Sequence, residues 1–454
     1  MALWFETALV AGDWAEGVRI TGHDGLIAAV ETGVAALPGD ERGAIALPGF
    51  ANLHSHAFQR GMAGLAERRG AEETGDSFWT WREVMYRFLD RLDPDDVEAI
   101  AALAFAEMLE GGFTRVGEFH YLHHAPDGRP YAAPAELAAR IAAAAETTGI
   151  GLTLLPVFYA HGGFGGAPPQ PGQRRFVTAP DAFASLVEES RRAVGSLPDA
   201  RVGVAPHSLR AATPGEIARI VPLAVGGPVH IHVAEQAREV ADCLAAHGAR
   251  PVAWLMDQVA VDRAWCLVHA THVTPAEQSA IAAAGAVVGL CPITEANLGD
   301  GLFPAGPFMA QGGRIGIGSD SNVLIDAAEE LRTLEYGQRL AGQARNVLAS
   351  RTRPSVGGAL ARAVFAGGAQ ALGVPASGLS PGAALDLVSL AAAHPSLAAR
   401  RGDALLDGWI FAGRGGAVDG VWRRGRKVVE GGRHVQRPAI LRRYRDRLTR
   451  LLAD

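Results

Sequence analysis

The chain has 454 residues, with 42 basic and 48 acidic side chains, a formal charge of −6 and 48% apolar residues. That is ample for a buried core and lacks the basic excess that nucleic-acid binding needs. Three scattered cysteines (Cys243, Cys266, Cys291) form no Cys-x-x-Cys pair, which excludes a disulfide scaffold and a thiolate zinc site and fits a reducing compartment.

No apolar run approaches the roughly 20 residues of a membrane span. The start, MALWFETALVAGDWAEG, lacks a basic segment followed by an apolar core. Neither a membrane anchor nor a signal peptide is expected, and the expected location is cytoplasmic. Residues 1–47 read as short strands punctuated by turns (TALVAG, GVRITGHDGLIAAVE, GAIALPG), the N-terminal part of a small β-sandwich domain. From 48 to 375 short apolar runs alternate with Ala/Glu/Arg-rich stretches of helical period. The strand candidates are 49–54, 114–119, 151–158, 200–206, 228–234, 264–270, 285–291 and 314–320, with helical stretches such as 93–112 and 132–149 between them. This alternation predicts an α/β fold, a (β/α)8 TIM-like barrel, with a doubly wound open sheet as the competitor. A Gly/Pro-rich loop, 162–175, follows the third strand. After 375 strand texture returns in AALDLVSL, GWIFAG and VDGVWRRGRKVVEGG, so 376–437 is predicted to complete the β-sandwich from the other chain end. Residues 438–454 read as an amphipathic helix with Ile440, Leu441, Tyr444, Leu448, Leu451 and Leu452 on one face and its arginines on the solvated side.

Four predicted strand ends carry groups able to bind a metal or move a proton. The first ends in His54-Ser55-His56, two histidines on one face of a strand. The fifth ends His230-Ile231-His232-Val233-Ala234-Glu235, the sixth at His269 and the eighth at Asp320. The C-terminal strand ends are where barrel enzymes place their sites. Imidazoles with one carboxylate suit Zn²⁺ or Fe²⁺ and leave a position for water, as catalytic rather than closed structural sites do. Glu235 and His269 remain to move protons. Loops on the same face carry a cationic set. Gln59 and Arg60 follow the HSH triplet; Trp79, Trp81 and Arg82 lie after the first strand, Tyr121 after the second, and His207 and Arg210 after the fourth. Guanidinium forks beside Tyr and His donors suit a small anionic substrate, whereas a base-reading site would use amides and aromatic faces.

In order and spacing, PGFANLHSH (48–56), HVAE (232–235), His269 and GSD (318–320) resemble the cytosine-deaminase-like branch of the amidohydrolase superfamily. The resemblance spans the chain and implies that His54, His56, His232 and Asp320 hold one divalent metal ion, zinc by default with iron as the alternative. His230, one pleat deeper, is expected to be a structural neighbour. Binuclear relatives bridge two metals with a barrel lysine. Here the only lysine is Lys427, in the terminal β segment, so a single metal is expected. The wording of HSHAFQRGMAG, DSFWTWRE, GEFHYLHH, APHSLR, HIHVAEQ, CPITEANLGDG and GSDSN is similar, within that superfamily, to the formimidoylglutamate deiminase family. That implies hydrolysis of N-formimidoyl-L-glutamate to N-formyl-L-glutamate and ammonia, as in histidine degradation. Glu235, His269 and Asp320 would be catalytic, and Gln59, Arg82, Tyr121, His207 and Arg210 would bind substrate. His161 is a further candidate, with loop packing as an equal reading. It also implies a homodimer. The rival readings are a nucleobase or nucleoside deaminase with the same metal apparatus, and a non-catalytic barrel scaffold.

Overall fold

The computed structural model describes residues 1–69, 76–376 and 378–453. Four N-terminal strands, β1 (Ala2–Val10), β2 (Asp13–His23), β3 (Leu26–Glu31) and β4 (Glu41–Pro48), lead directly into the barrel. Its strands are β5 (Phe50–Ser55), β6 (Phe113–His120), β7 (Gly151–Phe158), β8 (Arg201–Val202), β9 (Ala205–Pro206), β10 (Val229–Val233), β11 (Trp265–His269), β12 (Val287–Leu290) and β13 (Arg314–Ile317). After the barrel come β14 (Leu387–Leu390), β15 (Val418–Arg423), β16 (Arg426–Glu430) and β17 (Arg433–His434).

The barrel strands pair in parallel in the order β10-β11-β12-β13-β5-β6-β7-β8, with β9 also on β7. Every residue of β6 and β7 is buried, as expected for parallel strands covered by helices outside and packed within. The predicted fourth strand is split at Gly203. There a Cβ would lie 2.3 Å from the Pro228 carbonyl oxygen, so a side chain could not be accommodated without backbone movement. Around this break the ring closes on β10: Val204 N donates to Pro228 O and His230 N to Val204 O, both at 3.1 Å.

Inside, Leu53 fills the space left by Gly289 and Gly316, where a Cβ would come within 2.7 and 2.4 Å of its methyl carbons. The floor is plugged by the end of the helix Val356–Ala371. The Leu372 carbonyl accepts from Thr153 Oγ1 (3.0 Å), and the Ala371 carbonyl pairs with His230 Nε2 (2.7 Å). The outer helices begin where the sequence supplies caps. Thr213-Pro-Gly-Glu216 and Thr274-Pro-Ala-Glu277 are both complete capping boxes with proline in the first turn.

The second sheet runs β17-β16-β15-β14-β4-β1-β2-β3, so both chain ends build it. Strands β15 and β1 are three ladder steps apart, about 14 Å in a flat sheet. Yet Trp422 on β15 meets Phe5 on β1 edge-on, with ring centroids 6.1 Å apart. The sheet therefore folds over on itself and encloses its own core of Leu3, Phe5, Val18, Ile20, Leu387 and Trp422.

One predicted strand is a helix: GWIFAG lies in the helix Asp403–Ala412. Its short unbroken apolar run has no readable period. The buried set Leu405, Leu406, Trp409 and Ile410 shows the helical spacing only once the preceding turn is included. The terminal helix Arg437–Leu452 docks on the helix Pro94–Glu110. Ile440 and Leu451 are buried, and Arg447 and Arg450 pair with the carboxylates of Asp95 and Asp93 at 2.6 and 3.0 Å. Among the described residues no helix is long and apolar enough to cross a membrane.

Because Trp422 joins the two halves of the folded-over sheet, Trp422→Ala is expected to destabilise the protein by about 3–5 kcal/mol, read by urea unfolding. Metal content of the folded fraction, read by elemental analysis, is expected to be unchanged.

Candidate active site

The C-terminal ends of β5, β10, β11 and β13 converge at the mouth of the barrel. The β5–β6 register shifts between Asn52 and Ser55, at the end of β5 that carries His54. His54 Nε2 lies 3.2 Å from His56 Nε2 and 3.0 Å from His232 Nε2, all buried. The other ring nitrogens of two of these histidines face backbone carbonyls: His56 Nδ1 meets Phe119 O at 2.9 Å, and His232 Nδ1 meets His207 O at 3.1 Å. A carbonyl accepts only, so those nitrogens carry the protons and both Nε2 atoms present bare lone pairs. Burial opposes protonation, lowering His54 to about 3 and pushing His232 well below its ordinary value. His54 can donate to one of its neighbours but not to both. A cation satisfies all three nitrogens together. Asp320 Oδ1, 3.5 Å from His54 Nε2 and 3.3 Å from His56 Nε2, supplies a fourth donor, an oxygen, and negative charge. The donor set therefore fits one divalent metal ion.

Asp320 is held by a buried amide–hydroxyl network. Asn52 Nδ2 donates to Ser319 Oγ (2.6 Å), and Ser319 Oγ donates to Asn322 Oδ1 (2.6 Å). Asn322 Nδ2 donates to Ser55 Oγ, to the His56 carbonyl and to the Asp320 carbonyl, at 3.1, 3.1 and 3.0 Å. Asp320 (φ 45°), Asn322 (φ 56°), His269 (φ 66°) and Ala234 (φ 53°) all occupy the left-handed region, so backbone strain gathers at the strand ends.

Beside the cluster, His269 Nε2 faces Asp320 Oδ2 at 3.6 Å and Glu235 Oε1 at 3.8 Å, while its Nδ1 bonds Glu295 Oε1 at 3.2 Å. Burial favours the neutral ring, but the carboxylates of Glu235, Glu295 and Asp320 outweigh it and raise the imidazolium pKa to about 10. Burial pushes Glu235 up to about 7 against the opposing charges of His269 and Arg210. A dication at the cluster adds a positive field that draws both values down. The turn carrying Glu235 is fixed by Glu239, whose carboxylate accepts from Ala234 N and Glu235 N, both at 3.1 Å.

These groups open onto a cavity lined also by Gln59, Arg82, Tyr121, His207 and Arg210. Gln59 Nε2 donates to Tyr121 Oη (2.8 Å), whose own proton is directed only at the weak acceptor Met85 Sδ, 4.0 Å away. The Trp79 ring gathers three guanidiniums: Arg82, Arg238 and Arg210 lie 4.6, 4.7 and 5.7 Å from its centroid. Trp81 lines the cavity as well.

Other candidates lie elsewhere. Arg60 turns away from the cavity and pairs with Glu107 at 2.6 Å. His161 bonds the Glu216 carboxylate at 2.9 Å and secures the glycine-rich loop, and His230 sits at the barrel floor. Sequence reasoning missed Tyr86 and Tyr159, which line the cavity, and the orienting carboxylates Glu239 and Glu295. Tyr159 accepts from Gln173 Nε2 (2.8 Å) just as Tyr121 accepts from Gln59. Its place at the end of the third strand was the one available signal.

Comparison with known proteins accords with this geometry. Residues 45–428 match the amidohydrolase family, and residues 2–44 match the domain described as formimidoylglutamate deiminase HutF, N-terminal domain. Over 437 residues, 95% of each chain, the sequence is 52% identical to formimidoylglutamate deiminase of Pseudomonas aeruginosa. The chain belongs to the amidohydrolase family and, within it, to the formimidoylglutamate deiminases. An amidohydrolase from Brucella melitensis, 55% identical, superposes with a TM-score of 0.96 over the whole of both chains. The fold is shared more distantly with a zinc-bound adenosine deaminase from Xanthomonas campestris, at 23% identity, TM-score 0.83, and coverage of 99% of this chain and 98% of that one.

In this amidohydrolase the Asn322 amide ties the Asp320 backbone to Ser55 and His56 without itself facing the cluster. Asn322→Ala is expected to weaken metal retention about 10–100-fold, measured by competition with a chromophoric chelator.

Proposed function

We propose that this cavity hydrolyses N-formimidoyl-L-glutamate to N-formyl-L-glutamate and ammonia, with His54, His56, His232 and Asp320 holding one zinc ion. The observation that carries this reading is that one cavity holds both the converging imidazoles and a two-arginine clamp, matching a small substrate with a hydrolysable C–N bond at one end and two carboxylates at the other. The similarity to the Pseudomonas deiminase supports the same substrate. Iron fits the same donors; zinc is preferred because nothing in the reaction requires redox chemistry.

Arg82 and Arg210 take the two carboxylates, and Tyr121, Gln59 and His207 supply the neighbouring polar contacts. This binds the substrate in one direction, with its formimidoyl carbon toward the histidine cluster. When bound, the metal ion lowers the pKa of water toward about 7, so that hydroxide is available near neutral pH. Asp320 receives the proton of the attacking water, helped by His269, whose Nε2, 3.6 Å from Asp320 Oδ2, orients that carboxylate. Glu235 delivers a proton to the imine nitrogen, converting it to an amine as the new C–O bond forms. As the tetrahedral carbon re-forms a carbonyl, its hydroxyl proton passes by way of Glu235 to the amine, which leaves as ammonia, and the proton taken from the attacking water returns to Glu235. One water is consumed, the C–N bond to the terminal nitrogen breaks, and the amide nitrogen of the glutamate stays in place.

Glu235→Gln removes the transferable proton and leaves the cluster intact. Turnover is expected to fall by at least about 10²–10⁴-fold with metal content unchanged. Full activity in metal-replete variant would remove Glu235 from the reaction. Arg210→Met is expected to raise KM by one to two orders of magnitude with little change in metal content, following loss of a charge-assisted contact of about 1.5–3 kcal/mol. A panel assay of ammonia release tests the substrate itself. N-formimidoyl-L-glutamate should be turned over and nucleobases should not; the reverse result would transfer the site to the nucleobase deaminases.

A further inference from the structure

We propose that a second divalent cation, when in excess, binds between His269, Cys291 and Asp320 and inhibits the enzyme. A ring nitrogen of His269, the Cys291 sulfur and a carboxylate oxygen of Asp320 all lie within 4.8 Å of one another, and all three residues are buried. Glu295 occupies His269 Nδ1, so Nε2, 3.6 Å from Asp320 Oδ2, is the nitrogen left to bind a cation in exchange for its proton. An imidazole whose other nitrogen is held by a carboxylate is the arrangement that metal-ligating histidines adopt. The Asp320 carboxylate is already divided between the two sites. Its Oδ1 faces His54 and His56, and its Oδ2 faces His269. It can therefore bridge two cations, as carboxylates in two-metal centres do. Glu235 Oε1, 3.8 Å from His269 Nε2, completes a mixed N/S/O set. Such a set suits Zn²⁺ and, with its sulfur, the softer Cd²⁺.

Access is from the cavity, which His269 and Asp320 line. Binding replaces the Cys291 S–H bond with a sulfur–metal bond and the His269 Nε2–H bond with a nitrogen–metal bond, and so releases two protons. Burial pushes the Cys291 thiol well above its ordinary pKa, so without a metal the sulfur stays protonated and inert. The second cation occupies His269 Nε2 and neutralises Glu235, which blocks proton transfer. That inhibitory consequence rests on the roles given to His269 and Glu235 above; the binding does not.

The test uses the holoenzyme carrying one equivalent of metal. Further Zn²⁺ or Cd²⁺ is expected to abolish turnover of N-formimidoyl-L-glutamate. Cys291→Ser should keep the one-metal activity and need at least about tenfold more cation for the same inhibition. A second equivalent of Co²⁺ should give a thiolate-to-cobalt charge-transfer band in wild-type protein and none in Cys291→Ser. Cys291→Ala serves as a second variant should the serine fold poorly, and the wild-type spectrum needs no variant. Equal inhibition of wild type and variant, or a second cobalt equivalent bound without a thiolate band, would overturn the proposal. Absence of turnover at one equivalent would instead refute the assigned reaction, while the cobalt band would still decide the site.

Discussion

Two buried imidazole nitrogens within 3.2 Å of a third set the terms for the rest of the molecule. In water such nitrogens would turn away from one another or take up protons. Here carbonyls of Phe119 and His207 fix two of the rings, and burial denies them protons. The cluster has more acceptors than donors, and a divalent cation reverses that imbalance. A buried polar group without a partner costs about 1–3 kcal/mol, so the arrangement is stable only because the surrounding structure leaves it no alternative.

The barrel enforces it from two directions. From below, Leu53 packs between Gly289 and Gly316, and residues 371–372 close the floor, so the strands carrying the histidines cannot slide inward. From the side, the Asn52–Ser319–Asn322 network ties β5 to the turn that carries Asp320. Neither device touches the cavity. Each converts ordinary core packing or hydrogen bonding into position at the strand ends, where His269, Asp320 and Asn322 accept left-handed backbone conformations that would be costly elsewhere.

This division explains which features were legible in the sequence. Parallel strands buried on both faces leave continuous apolar runs, and a chemically active residue at the end of such a run stands out; His54, His56, His232, His269 and Asp320 were all visible in this way. Contacts between distant segments leave no local trace. Glu295 lies in a loop-proximal helix, and only the fold brings it to His269. Arg60 and Arg82 looked equivalent from their loops. The helix Pro94–Glu110 draws Arg60 to Glu107, while the helix Phe78–Leu89 turns Arg82 into the cavity. The helix Asp403–Ala412 was hidden by a six-residue apolar run too short to show its period.

Charge distribution completes the account of how one cavity orients its substrate. Arg82 and Arg210 bring positive charge to the cavity beside Trp79, and Arg210 Nη2 lies 3.9 Å from Glu235 Oε2, where the clamp meets the side formed by Glu235, Asp320 and the histidine cluster. A ring quadrupole shared by three guanidiniums offsets their mutual repulsion by only about 0.5–1 kcal/mol each. The two that face the cavity therefore gain more from a dianion than any neutral ligand could give. The proposed substrate carries its carboxylates and its basic imine nitrogen at opposite ends, so the reversed orientation would set its carboxylates against those of Glu235 and Asp320. Arginine suits this task better than lysine: its guanidinium stays charged when buried beside other cations, and its planar fork stacks on Trp79 while still presenting N–H groups to a carboxylate. A chain that is almost free of lysine has thereby kept the cation that a dry, crowded clamp requires.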